Sequence, residues 1–414
     1  MQSGARTVIG TKEQETREVP KAMHVPTWPC LSPAHLFSRK HSSEPPFPLD
    51  ASCQTHFFAA RYGIYQLFRA LHFQKDEVVL VPDYHHGNEV RAIRAAGVNI
   101  RFYRIDRNLE PDMEQVERLC TPNARALYVI HFLGWPQPIE RLAAICKKRG
   151  MLLIEDCALS LLSESNGRHL GNFGDYSIYC LYKTLPVPNG GLLVQNDNII
   201  PEVTRLKLRS CNVASVASRS VDLTLEWLQS RSNGFGKSLA LLKRAFGTLS
   251  STCGIERLPI GNTGFDVAHA QVGASALTNL LLKRFDYQQI RQQRRANYRY
   301  MTDKLAGKAT LLRTDLPEGV CPLFFPILVP EKHATAQALW QHGIGAVEFW
   351  NEGDPEAKED QFPDSHFLRN HVLELPIHQD ITPSQMDYMA NHLLRLNIRF
   401  RGIHGRSDRY NRSV

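Results

Sequence analysis

Residues 127–158 read LYVIHFLGWPQPIERLAAICKKRGMLLIEDCA, and this stretch decides the class of fold. The apolar runs at 126–130 and 152–155 predict two short buried strands, and residues 138–149 between them predict an amphipathic helix. Strands that are joined through a helix are normally parallel neighbours in one sheet. The stretch therefore predicts a strand–helix–strand unit of an α/β protein.

The same alternation continues on both sides of this unit. Further strands are predicted at 56–58, 77–81, 99–104, 176–180 and 191–195, and further helices at 63–73, 88–96 and 111–120. Short apolar strands separated by helices indicate a mainly parallel, mixed sheet with helices on both faces. Ligands of such sheets gather at the carboxyl ends of the strands.

The rest of the chain divides by composition. Residues 1–48 are Pro-rich and predict a poorly ordered arm, and residues 49–262 predict a large domain with a basic helical insertion at 198–262. Residues 263–397 predict a long helix, at 268–305, and a smaller C-terminal α/β domain, and residues 398–414 form an Arg-rich tail. The amphipathic run 237–249 is interpreted as a helix packed on the large domain, with a membrane surface or a partner subunit as the alternative.

Composition and charge exclude several classes of protein. The 414 residues are 43% hydrophobic and 22% charged, which argues against a disordered or fibrous chain. The formal charge of +8 is uneven, because the arm, the insertion and the tail hold +11 and the remainder about −3. The main body is therefore not a basic surface for nucleic acid. With no apolar leader and no membrane-length apolar run, we expect a cytoplasmic protein.

Nine cysteines occur without a Cys-x-x-Cys pair. This odd number and spacing argue against a disulfide framework or a zinc ribbon, and we expect no metal site.

Three features carry candidate chemistry. Glu155 and Asp156 end a buried strand, where a helix-capping role for Asp156 is the alternative. Lys183 follows the apolar run 176–182 and precedes the pair Gly190-Gly191, although lysines beside strands are often snorkelling surface groups. Residues 59–64 join a strand to a helix whose first amides can bind phosphate. Together they match pyridoxal 5′-phosphate (PLP), which needs a Schiff-base lysine, a carboxylate for its pyridine nitrogen and a phosphate cup.

The segments that carry these residues resemble the DegT/DnrJ-type sugar aminotransferases, a family of fold-type-I PLP-transferases, from about residue 56 to 397. The motifs are KDEVVLVPDYHHGNEV at 75–90, IEDCA at 154–158, YKTLPVPNGG at 182–191 and LPIHQDIT at 375–382. The resemblance implies that Lys183 forms the Schiff base and moves the proton. It also implies that Asp156, within the EDCA run that ends at Ala158, pairs with the pyridine nitrogen.

The same resemblance implies the other cofactor contacts. Arg61 and Tyr62 supply phosphate-binding amides, and His86 stacks on the ring, with His85 as the alternative. Ser177 and Cys180 are both candidates for the phosphate-binding serine. The chain departs from the family pattern at Leu159, where a glutamine is usual, and at Asn189, where an acidic residue is usual. The paired Asn and Arg of the partner-subunit motif are not recognisable at 261–270.

The function implied is PLP-dependent amino transfer from an amino acid, with glutamate as the expected donor, to a keto sugar that is expected to be nucleotide-linked. The resemblance also implies a homodimer. A PLP-dependent sugar dehydratase is one alternative, but the family's dehydratases carry histidine in place of the lysine that is retained here as Lys183. A non-catalytic binding or regulatory protein on the same scaffold is the other.

Overall fold

A computed structural model describes residues 23–37, 44–231, 264–396 and 398. Its strands are β1 (Gln54–Phe57), β2 (Val78–Pro82), β3 (Asn99–Tyr103), β4 (Ala124–Ile130), β5 (Leu152–Asp156), β6 (Glu164–Ser165), β7 (Arg168–His169), β8 (Tyr176–Cys180), β9 (Gly191–Gln195), β10 (Thr310–Leu311), β11 (Phe324–Leu328) and β12 (Val372–Pro376).

The helices of the described residues are α1 (Pro33–Phe37), α2 (Ala60–Ala70), α3 (Asn88–Ala95), α4 (Met113–Leu119), α5 (Ile139–Arg149), α6 (Leu181–Thr184), α7 (Pro201–Thr204), α8 (Val213–Arg231), α9 (Ala276–Leu281), α10 (Tyr287–Leu305), α11 (Lys332–Gln341), α12 (Pro363–His371) and α13 (Pro383–Arg395). Among them, no helix is long and apolar enough to cross a lipid bilayer.

The main sheet has seven strands in the order β1-β9-β8-β5-β4-β2-β3. The five strands from β8 to β3 are parallel, β9 runs antiparallel to β8, and the edge strand β1 pairs antiparallel with β9. Strands β2, β8 and β9 are buried along their whole length, as expected for a sheet covered on both faces. The predicted α/β fold with a mainly parallel mixed sheet is confirmed.

A second sheet of three antiparallel strands, β10-β11-β12, forms the core of the smaller C-terminal α/β part. The helical stretch predicted at 268–305 is wrong as a single helix, because it is divided into a short 3-10 turn, α9 and α10. Ser275 and Asp286 each accept a hydrogen bond from the backbone N–H three residues on, so each caps the start of a new helix.

The N-terminal arm differs from its prediction. Residues 23–31 are packed against the C-terminal part of the chain, and the side chains of Val25 and Leu31 are buried. The expectation of a poorly ordered arm is therefore wrong for these residues, because Pro-rich sequence without periodicity can also bind along another element in extended form. Residues 1–22 and 38–43, the tail from 399 and the amphipathic run 237–249 lie outside the described residues.

Candidate active site

The carboxyl ends of three parallel strands open into one cavity. His86 lies in the loop after β2, Asp156 is the last residue of β5, and Lys183 lies in α6 directly after β8. All three line the cavity, together with Ala158, Leu159 and Cys180. Residues that are far apart in sequence thus meet where the topology of a parallel sheet concentrates binding groups.

Asp156 is held at the floor of this cavity by two hydrogen bonds. The hydroxyl of Tyr128 donates to Oδ2 at 2.6 Å, and the backbone N–H of Ala158 donates to Oδ1 at 2.9 Å. Burial raises the pKa of Asp156 above its usual value, and the hydrogen bond from Tyr128 opposes that rise. The carboxyl is fixed in orientation, and a cationic partner in the cavity would stabilise its charged form.

Lys183 is half-buried, and its Nζ lies 5.5 Å from the centroid of the Phe349 ring across the cavity. The turn that carries it is anchored at the next residue. Arg294 and Gln379 both donate side-chain hydrogen bonds to the carbonyl oxygen of Thr184, each at 3.2 Å. Lys183 therefore reaches into the cavity from a backbone that the C-terminal part of the chain holds in place.

The two adjacent histidines are separated by the structure. His86 lines the cavity, and burial together with the charges of Lys183 and Arg61 lowers its pKa to about 3, so its imidazole is neutral. His85 is buried away from the cavity lining and stacks on Phe102, with ring centroids 5.5 Å apart and an angle of 13°. Of the two, His86 has the position from which a flat side chain can cover a ring.

The N-terminus of α2 forms one end of the cavity. Ala60 and Arg61 line it, and the preceding residue, Ala59, gives no side-chain cap to the first amides. Gly191 at the start of β9 approaches so closely that a Cβ there would lie 2.2 Å from the Ala60 nitrogen. A helix start with uncapped amides in a cavity is suited to phosphate.

Two other predicted contacts lie elsewhere. Tyr62 is not among the residues that line the cavity: its backbone N–H, the predicted phosphate contact, donates to Ala59 O at 3.1 Å, and its buried ring packs near Phe265, with centroids 5.9 Å apart. Ser177 is buried in the middle of β8 and does not line the cavity, whereas Cys180 at the end of that strand does. Between the two candidates for the position of the phosphate-binding serine, the structure thus brings only Cys180 to the cavity.

Glu89 is a cavity residue that sequence reasoning missed. It lies in the first turn of α3, and its Oε1 accepts a hydrogen bond from the backbone N–H of His86 at 2.7 Å. Burial, followed by the nearby charge of Asp156, raises the pKa of Glu89 to about 7. An acidic residue three positions after the histidine pair was the available signal, but it is also usual at a helix start.

An aromatic wall closes the other side of the cavity. It consists of Trp28 from the arm and of Phe349 and Trp350 from the loop after α11. No local motif marks these residues, because each reaches the cavity only through the packing of the C-terminal part on the large sheet. These three aromatic residues could therefore not be predicted as cavity residues from the sequence.

The buried side chains of Lys332 and Glu374 hold this wall through its backbone. Lys332 Nζ donates to the carbonyl oxygen of Phe349 at 2.8 Å. The Phe349 N–H donates to the carboxyl of Glu374 at 3.3 Å, and burial raises the pKa of Glu374 to about 8. Trp350 has a φ of 58°, a conformation that costs a bulky residue about 1–2 kcal/mol and needs such support.

Arg369 of α12 connects the wall to the histidine loop. Its guanidinium donates to the carbonyl oxygens of Trp350 and Glu352, each at 2.8 Å, and to those of His85 and Asp83, at 3.0 and 2.9 Å. Only 5% of the residue is exposed. One buried side chain therefore fixes two loops that line the same cavity.

Glu155, the neighbour of Asp156, belongs to a buried group with His131 and Cys157 whose polar atoms lie within 4.8 Å of one another. Gln137 N–H donates to His131 Nδ1 at 3.1 Å, so His131 Nε2 carries the proton and donates to Glu155 at 3.0 Å. Glu155 also accepts backbone hydrogen bonds at 2.6–2.8 Å from Gly171, Phe173 and Gly174. Because these partners satisfy the carboxylate, its role is to hold the loop before β8.

Comparison with known proteins gives relatives of one kind. The chain is 32% identical to the GDP-perosamine synthase of Vibrio cholerae over 142 residues, which are 33% of this chain and 39% of that protein. It is 32% identical to the dTDP-4-dehydro-2,3,6-trideoxy-D-glucose 4-aminotransferase of Saccharopolyspora spinosa over 125 residues, 30% of this chain and 32% of that protein. The chain thus spans about a third of the length of these relatives.

Solved structures extend the likeness over most of the chain. The sugar aminotransferase CalS13 from Micromonospora echinospora has a TM-score of 0.59 at 18% identity, covering 90% of this chain and 99% of that chain. A Streptococcus pneumoniae structure in its PLP form has a TM-score of 0.62 at 14% identity, covering 90% and 98%. At these identities the likeness establishes the fold.

The family assignment rests on a longer match. The profile of the DegT/DnrJ/EryC1/StrS aminotransferase family matches residues 62–394, which is most of the chain and includes β2 to α13. The resemblance stated from the motifs is thereby confirmed. The chain belongs to the DegT/DnrJ/EryC1/StrS aminotransferase family.

Proposed function

We propose that this protein is a PLP-dependent aminotransferase that moves an amino group from an amino acid, with glutamate as the expected donor, to a keto sugar. The observation that carries the proposal is the meeting of Lys183, Asp156, His86 and the N-terminus of α2 at one cavity. Each of these groups matches one chemical need of the cofactor, and no two of them are close in sequence.

The cavity residues fit PLP by their donor set. The amides of Ala60 and Arg61 at the start of α2 would hold the phosphate, the oriented carboxyl of Asp156 would pair with the pyridine nitrogen, and neutral His86 would cover the ring. Gly191 fits the same reading, because any side chain there would occupy the helix start. The position where the family usually has glutamine is Leu159, so the phenolic oxygen of the cofactor would have no partner from this side chain.

When bound, PLP supplies the electron sink that stabilises negative charge on the donor's α-carbon. The protein must hold the cofactor and move a proton. Lys183 is suited to both, because its amine lies in the cavity between Asp156 and the aromatic wall. General acid–base help of this kind is worth about 10²–10⁴-fold in rate. The wall of Phe349 and Trp350 would exclude water from the reacting atoms.

The names of the relatives support a keto sugar, linked to a nucleotide, as the acceptor, since one is a GDP-perosamine synthase and another acts on a dTDP-linked dehydro sugar. We extend the proposal to a homodimer by family resemblance.

The decisive experiment compares Lys183→Ala with Lys147→Ala, an exposed lysine of α5 that serves as a matched control. We expect Lys183→Ala to lose both the visible absorbance of lysine-linked cofactor and amino transfer, because no other lysine lines the cavity among the residues that the structure describes. Loss of that absorbance on adding glutamate to the wild-type protein, and its return with a panel of free and nucleotide-linked keto sugars, would identify donor and acceptor. An unchanged spectrum in Lys183→Ala would contradict the proposal, and release of ammonia in place of a 2-oxo acid would favour the dehydratase.

A further inference from the structure

Residues 24–30 form a strap across the C-terminal part of the chain. Val25 pairs with the loop after α11, because its N–H donates to Gly343 O at 2.9 Å and its carbonyl oxygen accepts from Gly345 N–H at 2.8 Å. The side chain of Val25 is fully buried. A Cβ at Gly345 would lie 2.3 Å from Thr27 Oγ1, so the strap and this loop are in direct contact.

The strap is also held on both sides of Trp28 by side chains near α13. Gln385 Nε2 donates to His24 O at 2.8 Å, and His378 Nε2 lies 3.0 Å from Pro26 O. After Trp28, the N–H of Cys30 donates to Asp380 Oδ2 at 2.9 Å. These bonds fix the strap at both ends, so Trp28 has a defined position.

That position is over two adjoining cavities. The Trp28 ring packs edge-on against Phe324 and Phe349, with centroids 5.2 and 6.0 Å apart, and lines the cofactor cavity. It also lines a larger, more open cavity of about 640 Å³, here called the vestibule, which shares Trp28, His86, Phe349 and Trp350 with the cofactor cavity. A molecule that enters the cofactor cavity through the vestibule would pass Trp28.

The vestibule is lined by aromatic side chains and by two carboxylates that each have a nearby partner. Trp340 adds a further indole to its lining. Its carboxylates, Glu348 and Glu352, lie 3.0 Å from His333 and 3.3 Å from Arg91 respectively. Among the described residues, the lining contains no lysine or arginine. Aromatic faces beside carboxylates and the amide of Asn351 suit an uncharged ring that carries hydroxyl groups, whereas they offer no cation to a diphosphate.

We propose that Trp28, delivered by the strap, is a specificity residue that binds the uncharged ring of the acceptor in the vestibule. This inference rests on the proposed function and adds to it, because it assigns the acceptor's ring to a wall formed by the N-terminal arm. Any diphosphate of a nucleotide-linked acceptor would then lie outside the vestibule lining. The amino-acid donor is small enough to react within the cofactor cavity without extending into the vestibule.

The test separates the two half-reactions of the loaded holoenzyme. Trp28→Ala is compared with Trp227→Ala, a matched change on α8 outside both cavities. The first half-reaction follows loss of visible absorbance with glutamate, and the second its return with the keto sugar that the wild-type protein uses best. We expect Trp28→Ala to raise the KM for the keto sugar about tenfold, an aromatic contact of roughly 1.4 kcal/mol, and to change the KM for glutamate by a clearly smaller factor, since the donor fits within the cofactor cavity and does not extend into the vestibule.

A second variant distinguishes loss of the aromatic contact from local unfolding of the strap. Trp28→Phe keeps a ring against Phe324 and Phe349 but covers less area, so we expect a smaller rise in the same KM with unchanged thermal stability. Equal effects of Trp28→Phe on both half-reactions, or no effect of either variant on the acceptor KM, would overturn the inference. Wild-type protein that fails to react with any amino acid would instead overturn the proposed function, and the inference with it.

Discussion

Glu89 shares its cavity with Asp156 and Lys183, and its pKa of about 7 has consequences for stability. Below its ordinary value of 4.5 the carboxyl is protonated in both the folded and the unfolded chain. As the pH rises from 4.5 to 7, the unfolded chain releases the proton while the folded chain retains it. Stability is therefore lost across this window, and the loss is constant above it.

We predict that this loss disappears in Glu89→Gln, whose amide oxygen can still accept the hydrogen bond from the His86 N–H. Between pH 5 and pH 8 the free energy of unfolding of the wild-type apoprotein should fall by about 2 kcal/mol relative to the variant. Urea unfolding at both pH values measures it. Glu202→Gln, at an exposed carboxylate of α7, is the control. Parallel pH profiles for wild type and Glu89→Gln would show that the Glu89 carboxyl does not have this shifted titration.

At the scale of single residues, the cavity side chains that directly follow strands could be predicted from the sequence. Asp156 and Lys183 each end a recognisable apolar run, and the place of His86 in the loop after β2 could be narrowed to two neighbouring positions. Only the structure distinguishes His85 from His86, because in a loop one residue can line the cavity while its neighbour is buried away from it. Trp28 could not be found, since the contact that positions it pairs residues 350 apart.

At the scale of elements, β9 and α2 together form the end of the cavity where we propose that the phosphate binds. Gly191 opens β9 and pairs with Phe57 of β1 and with Cys180 of β8, while the first residues of α2 lie against it. The helix start can occupy this place only because β9 begins without a side chain. The short distance between β9 and α2 therefore depends on the absence of a side chain at Gly191.

We predict that Gly191→Ala displaces the start of α2. The new Cβ would lie 2.2 Å from the Ala60 nitrogen, so backbone must move, and overpacking of this kind costs about 1–3 kcal/mol. We expect a lower Tm and a higher Kd for PLP, read from thermal unfolding and from cofactor titration. Gly264→Ala is the matched control, because a Cβ there meets no atom within 4 Å. A Gly191→Ala protein with wild-type affinity for PLP would refute the role of this contact.

Strands and helices with a clear apolar pattern could be predicted from the sequence, but the points where a long helical pattern breaks into separate helices could not. The apolar stretches of β2, β4, β5, β8 and β9 were visible in the sequence because they are buried on both faces. The division of 268–305 depends on capping by Ser275 and Asp286, whose preference for helix starts is weak evidence within a long polar helix pattern. Asn189 shows a related limit: it replaces an acidic residue, yet its side chain accepts the Ser275 N–H at 2.9 Å and ties β9 to α9.

At the scale of the whole molecule, Arg369 joins the large sheet to the C-terminal part. We predict that Arg369→Met lowers the free energy of unfolding by at least about 3 kcal/mol, because four carbonyl oxygens lose their buried donor. Arg107→Met is the control. Arg107 also reaches α12, through an ion pair with Asp364 at 2.7 Å, but that pair is exposed and worth about 1 kcal/mol or less. Urea unfolding of both variants provides the comparison.

Cofactor titration adds a second measurement on the same variants. Arg369→Met should also weaken PLP binding, since the His86 loop and the wall of Trp350 lose their common anchor, whereas Arg107→Met should not. Equal small losses of stability in the two variants would contradict the role assigned to Arg369.

The strap has a consequence for the order of folding. The strands of the main sheet lie between residues 54 and 195 and can pair soon after their synthesis, but the strap binds partners as far along the chain as Gln385. Contacts of such sequence separation form late, after the loops between them have closed. Residues 24–30 thus reach their place later than the strands of the main sheet, which follow them in the sequence. The cavity that Trp28 lines is complete only when the strap has met residues 378–385.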